Sequence, residues 1–150
     1  MTSQTQTSPK SLVQEWLHAR PGEHFCIRIP ASATGGAYSV TEVVSSPGDS
    51  TPIHVHANED EILHVVEGTA RVFYGEREFD AAPGTVVKLD RGIPHAFGNA
   101  TNEPVRLLMT ATPGGCEEAL RLIATSVPDL DILEVARRFG VTVVGPPLVS

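Results

Sequence analysis

Residues 48–68 read GDSTPIHVHANEDEILHVVEG and residues 84–99 read GTVVKLDRGIPHAFGN. In the first stretch, His54 and His56 stand one residue apart. On a β-strand, residues i and i+2 point to the same face, so these two imidazoles can chelate one ion. The polar run Ala57-Asn58-Glu59-Asp60 reads as a turn, and Glu61 follows at the head of the next strand, facing the same ion. In the second stretch His95 opens a strand of its own after a Gly/Pro-marked turn. Three neutral imidazoles and one carboxylate suit one divalent metal ion such as Ni, Mn, Fe, Co or Zn. Four such ligands leave an octahedral ion open to water or substrate. The net charge of about +1 favours an anionic oxygen there.

Outward from these stretches the chain alternates short β-rich runs with turn residues. Strands are expected near His24–Ile29, Tyr38–Ser45, Ile53–His56, Ile62–Val66, Thr69–Tyr74, Glu76–Phe79, Thr85–Leu89, His95–Asn99 and Val105–Ala111. Gly and Pro clusters separate them, a spacing that implies an all-β sandwich or barrel rather than a βαβ fold. Before the strands, Leu12, Trp16 and Leu17 at helical spacing predict a short N-terminal helix over Ser11–Ala19, capped by Ser11. After Pro113-Gly114-Gly115 the period becomes helical again. Leu120, Ile123 and Ala124 form one apolar face, and Pro128 ends that helix. Asp131 and Glu134 resemble an N-cap and its N3 partner for a second helix, which ends at Gly140. Val141–Val144 can add an edge strand. The expected organisation is a tail over residues 1–10, a β-barrel with its N-terminal helix over 11–112, and a C-terminal helical extension of the same domain over 113–150.

The two stretches together resemble the paired motifs of the cupin superfamily. The first motif runs Gly48, five residues, His54, Val55, His56, four residues, Glu61, six residues, Gly68, and every conserved position of that motif is matched. The second runs from Gly84 through Gly92 and His95 to Asn99, with Asp90 standing where the family usually has proline. The resemblance extends over roughly residues 20 to 148 to the single-domain quercetinase-like cupins, the quercetin 2,3-dioxygenase-like group. It implies a cupin β-barrel, also called a double-stranded β-helix or jelly roll. It further implies metal ligation by His54, His56, Glu61 and His95, a homodimer, and a dioxygenase cleaving a flavonol-like or other enolisable substrate. Glu61 then serves as ligand and proton acceptor. An isomerase, decarboxylase or lyase reading of the same site needs no dioxygen. A third reading is a small-molecule binding module in which the metal only holds structure.

Other residues were weighed in the same way. Phe97 and Met109 are expected in the substrate pocket wall, with Leu107 at the same strand parity as Met109; Tyr38 is a further candidate. His64 should face away from the metal by parity. Glu59, Asp60 and Glu67 read as solvated turn carboxylates, Arg71 as a surface pairing residue, and Asn99 as a hydrogen bonder at a strand end. A formal net charge of −7 with neutral histidines argues against a nucleic-acid partner. There is no apolar run of the length a membrane helix needs, and residues Met1–Pro9 lack the features of a signal peptide, so a cytoplasmic protein is expected. Cys26 and Cys116 are too few for a disulfide framework and are expected as free thiols.

Overall fold

Among the described residues, ten strands and two α-helices follow the turn residues closely. The computed structural model describes residues 14–126 and 130–149. Sheet one holds β1 (Glu23–Ile29), β2 (Ser39–Ser45), β9 (Val105–Thr112), β4 (Asp60–Glu67) and β7 (Val86–Leu89), in that spatial order. Sheet two holds β10 (Val141–Pro147), β3 (Pro52–His56), β8 (His95–Gly98), β5 (Ala70–Tyr74) and β6 (Arg77–Ala81). All pairings are antiparallel. Consecutive strands such as β3 and β4 lie in different sheets, the pattern of a jelly roll. Each of the nine strands expected from the sequence is present within two residues of its expected ends.

The central strand β9 shows why the pattern works. Val105, Leu107, Met109 and Ala111 alternate inward, while the residues between them are only partly covered. Val105, Leu107 and Met109 meet Phe25, Val43, Leu63, Val65 and Val72 in one core. Phe25, Leu63, Val65, Val72 and Leu107 are completely buried. Each such side chain stabilises the fold by about 1.5–3 kcal/mol through burial alone. The turn after β4 needs glycine for two reasons: Gly68 has φ +74°, and a Cβ there would stand 2.5 Å from the Pro104 carbonyl oxygen.

The helical extension covers one side of the sheets. In α1 (Glu117–Thr125), Leu120 and Ala124 pack on the core. Glu117 anchors its start: one carboxylate oxygen accepts from the Ala31 amide and the other from the Gly115 amide, both at 2.8 Å. In α2 (Ile132–Arg138), Asp131 caps the first turn by accepting from the Leu133 and Glu134 amides. The capping box is only half formed, because Glu134 turns toward Arg138 instead of reaching back to the cap. Pro128 lies outside the described residues. The chain then returns to sheet two as β10, antiparallel to β3. The segment expected as a helical extension thus ends in a ladder strand, with register Val141 to His56 and Val143 to His54.

The expected N-terminal helix is corrected over the residues described. Residues 14–19 are not helical. Leu17 instead forms a β-bridge with Phe25, exchanging backbone hydrogen bonds of 2.8 and 2.9 Å. That bridge covers part of the open edge of β1, and Leu17 packs on the core. Three apolar positions made a weak helical signal, and tertiary pairing overrides it. Ser11, Leu12 and the residues 1–10 expected as a tail lie outside the described residues. No helix among the described residues is long and apolar enough to cross a membrane.

Candidate metal centre and cavity

Strand geometry brings four side chains to one point. His54 and His56 share the inner face of β3, and the ladder sets His95 of β8 directly opposite His54. Glu61 reaches across from β4 in the other sheet. The imidazole rings stand 4.5 to 5.2 Å apart, centre to centre. One oxygen of Glu61 lies 2.9 Å from His56 Nε2 and 3.0 Å from His95 Nε2. One ligand atom from each of the four residues lies within 4.8 Å of the others. Three nitrogens and one oxygen so gathered fit a divalent ion in chemistry and in spacing.

Each imidazole is also held from behind. His54 Nδ1 lies 2.8 Å from the Pro52 carbonyl, and His95 Nδ1 lies 3.2 Å from the Ile93 carbonyl. His56 Nδ1 lies 3.1 Å from Glu59 Oε1. A carbonyl or carboxylate on Nδ1 selects the tautomer that turns the Nε2 lone pair inward, and it makes the ring a better donor to a metal. Glu59 is therefore not the solvated turn carboxylate expected from the sequence. It is 3% exposed and orients a candidate ligand. The signal was available in its spacing, three residues after His56 across a tight turn, but the sequence gives no measure of that turn's burial.

The electrostatics are those of a carboxylate in a ring of imidazoles. Burial favours the neutral form of Glu61, but the charge on His56 and hydrogen bonds from His56 and His95 outweigh it, holding the carboxyl well below its usual range. Burial likewise opposes protonation of His56, yet the Glu61 and Glu59 carboxylates push its pKa up to about 10. His54 lacks such a partner. Burial, together with the neighbouring imidazoles, lowers it to about 4. His56 is thus held in its protonated form between Glu59 and Glu61.

The cluster opens on a cavity of about 300 Å³. His54, His56 and Glu61 are on its wall with Phe97, Met109 and Val43; α1 and α2 contribute Leu120, Ile123 and Ile132. Two of the expected pocket residues are elsewhere. Leu107 is wholly buried in the core next to the cavity, and Tyr38 points outward at 42% exposure. Parity was right for Leu107, but the inner face of β9 is part core and part wall. Cys116 is a wall residue that the sequence did not suggest; burial and the nearby Glu61 and Glu59 charges push its thiol up, so it stays protonated. Cys26 is also a free thiol, fully buried.

The remaining residues fall mostly as expected. Asn99 is buried and ties the strand end by donating to the Ser45 and Glu103 carbonyls. Arg71 pairs with Asp80 at the surface, and Asp60 with Arg91. Asp90, in the proline position, pairs with Lys88 and accepts from the Tyr74 hydroxyl. The turn it belongs to delivers the Gly92 amide to the His56 carbonyl at 2.8 Å.

Comparison with known proteins adds to this geometry. The family described as cupin domain matches residues 41–111, from within β2 to within β9. Over those residues the chain is similar to cupin domains, and the two-sheet jelly roll around them is a cupin fold. Solved structures agree on the fold. KdgF from a Halomonas species superposes with a TM-score of 0.62 at 17% identity, covering 69% of this chain and 92% of that one, which speaks for the cupin fold alone. A sugar phosphate isomerase of the cupin superfamily from Silicibacter pomeroyi gives 0.56 at 26% identity, over 63% of this chain and 61% of its own. The polyketide cyclase RemF from Streptomyces resistomycificus gives 0.55 at 26% identity, over 61% and 66%.

Proposed function

We propose that this cupin is a metal-dependent enzyme acting on an apolar, enolisable small molecule, with flavonol-type dioxygenation as the leading reaction. The observation that carries the reading is a largely apolar cavity with His54, His56 and Glu61 of the four-residue cluster on its wall. At about 300 Å³ its volume sits at the lower end of the range for drug-sized ligands, about 300–1,000 Å³. The quercetinase-like resemblance of the chain supports the same substrate class. A sugar phosphate fits less well, because Arg20, the one arginine or lysine on the wall among the described residues, is already engaged by Asp49 and Glu23.

His54, His56, His95 and Glu61 would hold the metal, which when bound supplies a Lewis acid for an enolate oxygen. Glu61 takes the acidic hydroxyl proton of the substrate on a carboxylate oxygen, leaving the enolate. Glu59 keeps the His56 ring oriented during that transfer. Phe97, Met109 and Val43 exclude water and hold the flat body of the substrate. The enolate is the form that reacts with dioxygen in a dioxygenase. It is equally the form that rearranges in a non-oxidative enzyme, and the 26% identity to a polyketide cyclase and to an isomerase favours that second reading. Metal analysis of protein purified without chelator, followed by oxygen-electrode assays with flavonols, tests the proposal. Oxygen uptake tied to flavonol loss is expected. Flavonol or polyketide turnover under strict anaerobiosis would instead select the non-oxidative reading, and protein without metal or turnover would overturn both.

A further inference from the structure

The segment leading into β1 carries two histidines outside the candidate metal centre. Arg20-Pro21-Gly22-Glu23 has the residues of a type II turn. Proline holds its second position, Gly22 takes φ +82° at the third, and the Glu23 amide donates to the Arg20 carbonyl at 3.4 Å. The chain before the turn therefore folds back on β1. Leu17 and Phe25 exchange both backbone hydrogen bonds, so they are a hydrogen-bonded pair of an antiparallel ladder. The next pair toward the turn is His18 and His24. It is of the non-hydrogen-bonded kind, in which Cα atoms stand about 4.5 Å apart and side chains come closest.

Alternation puts both imidazoles on the side of β1 away from the fully buried Phe25, and both are exposed. Their ring centres lie 4.0 Å apart, with the planes tilted by 52°. The imidazoles of the candidate metal centre stand 4.5 to 5.2 Å apart. An ion between His18 and His24 thus needs only a small outward turn of two exposed side chains. Among the described residues no third histidine, cysteine or acid joins them.

We propose that His18 and His24 form a second metal site, a surface chelate of two imidazoles for a borderline divalent ion whose other positions water fills. Copper(II) stands highest in the affinity order for nitrogen sites, above nickel and zinc. The site also has a place in the architecture of the cavity. The loop from His18 to His24 includes Ala19 and Arg20, both on the cavity wall. An ion across its ends ties the two sides of the loop together, so metal joins the Leu17–Phe25 pair in fixing that part of the wall. The inference does not rest on the reading under Proposed function.

The sole tryptophan, Trp16, is a built-in reporter. It lies two residues from His18, at most about 7 Å along the backbone, and bound copper(II) quenches indole emission at that range. The full chain, as purified and without an affinity tag, is titrated with copper(II). Saturable quenching is expected in the wild type. His18→Ala and His24→Ala should each move the midpoint to about a hundredfold more copper, because a chelate is lost when either arm goes. The double variant should move it no further, and His64→Ala should leave it in place. A ring pair that only packs gives one midpoint for all of these proteins, and two independent histidines give single variants halfway to the double. Either result would overturn the proposal. Hydrogen exchange of the peptide over residues 14–25 reads the tie itself. Copper should slow it in the wild type and not in the double variant, and exchange unaltered in the wild type would refute the link to the wall. Both substitutions are on exposed side chains, so the variants should fold. Absent turnover of flavonols would count against dioxygenation and leave these results standing.

Discussion

Glu61 and Glu23 are the same side chain, both buried in one cavity wall, yet they are displaced in opposite directions. Glu61 is held well below the usual carboxylate range, whereas burial pushes Glu23 up to about 7. Burial acts on both and favours the neutral acid. The partners differ. Glu61 receives two imidazoles on a single oxygen. Glu23 has one guanidinium, shared with Asp49, whose own negative charge works against ionisation. The lesson is that depth alone does not decide the charge of a buried acid; the number of cations it need not share does. One end of the cavity keeps its carboxylate ionised, and the other holds its charge reluctantly.

The sharpest way to break this comparison is to empty the anionic end. His54→Ala, His56→Ala and His95→Ala should each bring bound metal below about a tenth of wild type by elemental analysis, since each removes a direct ligand. A variant with full metal content would remove that histidine from the ligand set. Glu59→Gln should weaken metal binding less, by about 10–100-fold in a chelator competition, because it loosens His56 without deleting a ligand. Unchanged affinity would mean that the 3.1 Å contact from Glu59 to His56 does not orient the ring.

Protons sharpen the comparison further. With His56 raised to about 10, metal binding near pH 8 should displace the proton on His56. Calorimetry in buffers of different ionisation heat would measure the release, and binding without any proton release would contradict the assignment. In the metal-free protein the two acids should act oppositely on stability. The contribution of Glu61 is present above its ordinary pKa of 4.5 and is lost as pH falls through its depressed folded value. Glu23, raised from 4.5 to about 7, favours the folded state below pH 4.5 and loses that advantage as pH rises through about 7. Glu23→Gln should therefore remove a decline on the order of 3 kcal/mol between those pH values in denaturant titrations. An unaltered slope would assign the decline to another group. The smallest effect belongs to Asp90→Pro, which restores the usual family residue. Its carboxylate is an exposed pairing group, so metal content should be unchanged and the melting temperature should move by about 3 °C or less. A loss of metal would show that Asp90 shapes the turn behind His56.

Much of this was legible before any coordinates. His54, His56, Glu61 and His95 could be gathered on paper because strand parity is a rule with period two and the turns are marked by glycine. The strands were legible for the same reason. The N-terminal residues were not, because Leu17 takes its conformation from a partner eight positions away, Phe25, and local periodicity does not encode that pairing. The burial of Glu59 and Glu23 and the place of Cys116 on the cavity wall were not legible, because sequence does not distinguish a buried acid or thiol from an exposed one. Tyr38 and Leu107 were placed in the wall by residue type and parity, which say inward or outward but not how far along a strand the core gives way to open space.

The ladder between β10 and β3 joins His54 and His56 to residues that follow roughly 90 positions later in the chain. During synthesis, then, the strand that presents two of the metal's candidate nitrogens must wait on a ribosome that has yet to emit its neighbour. Closure of that edge is a long-range event, completed only after all four candidate ligands have been made.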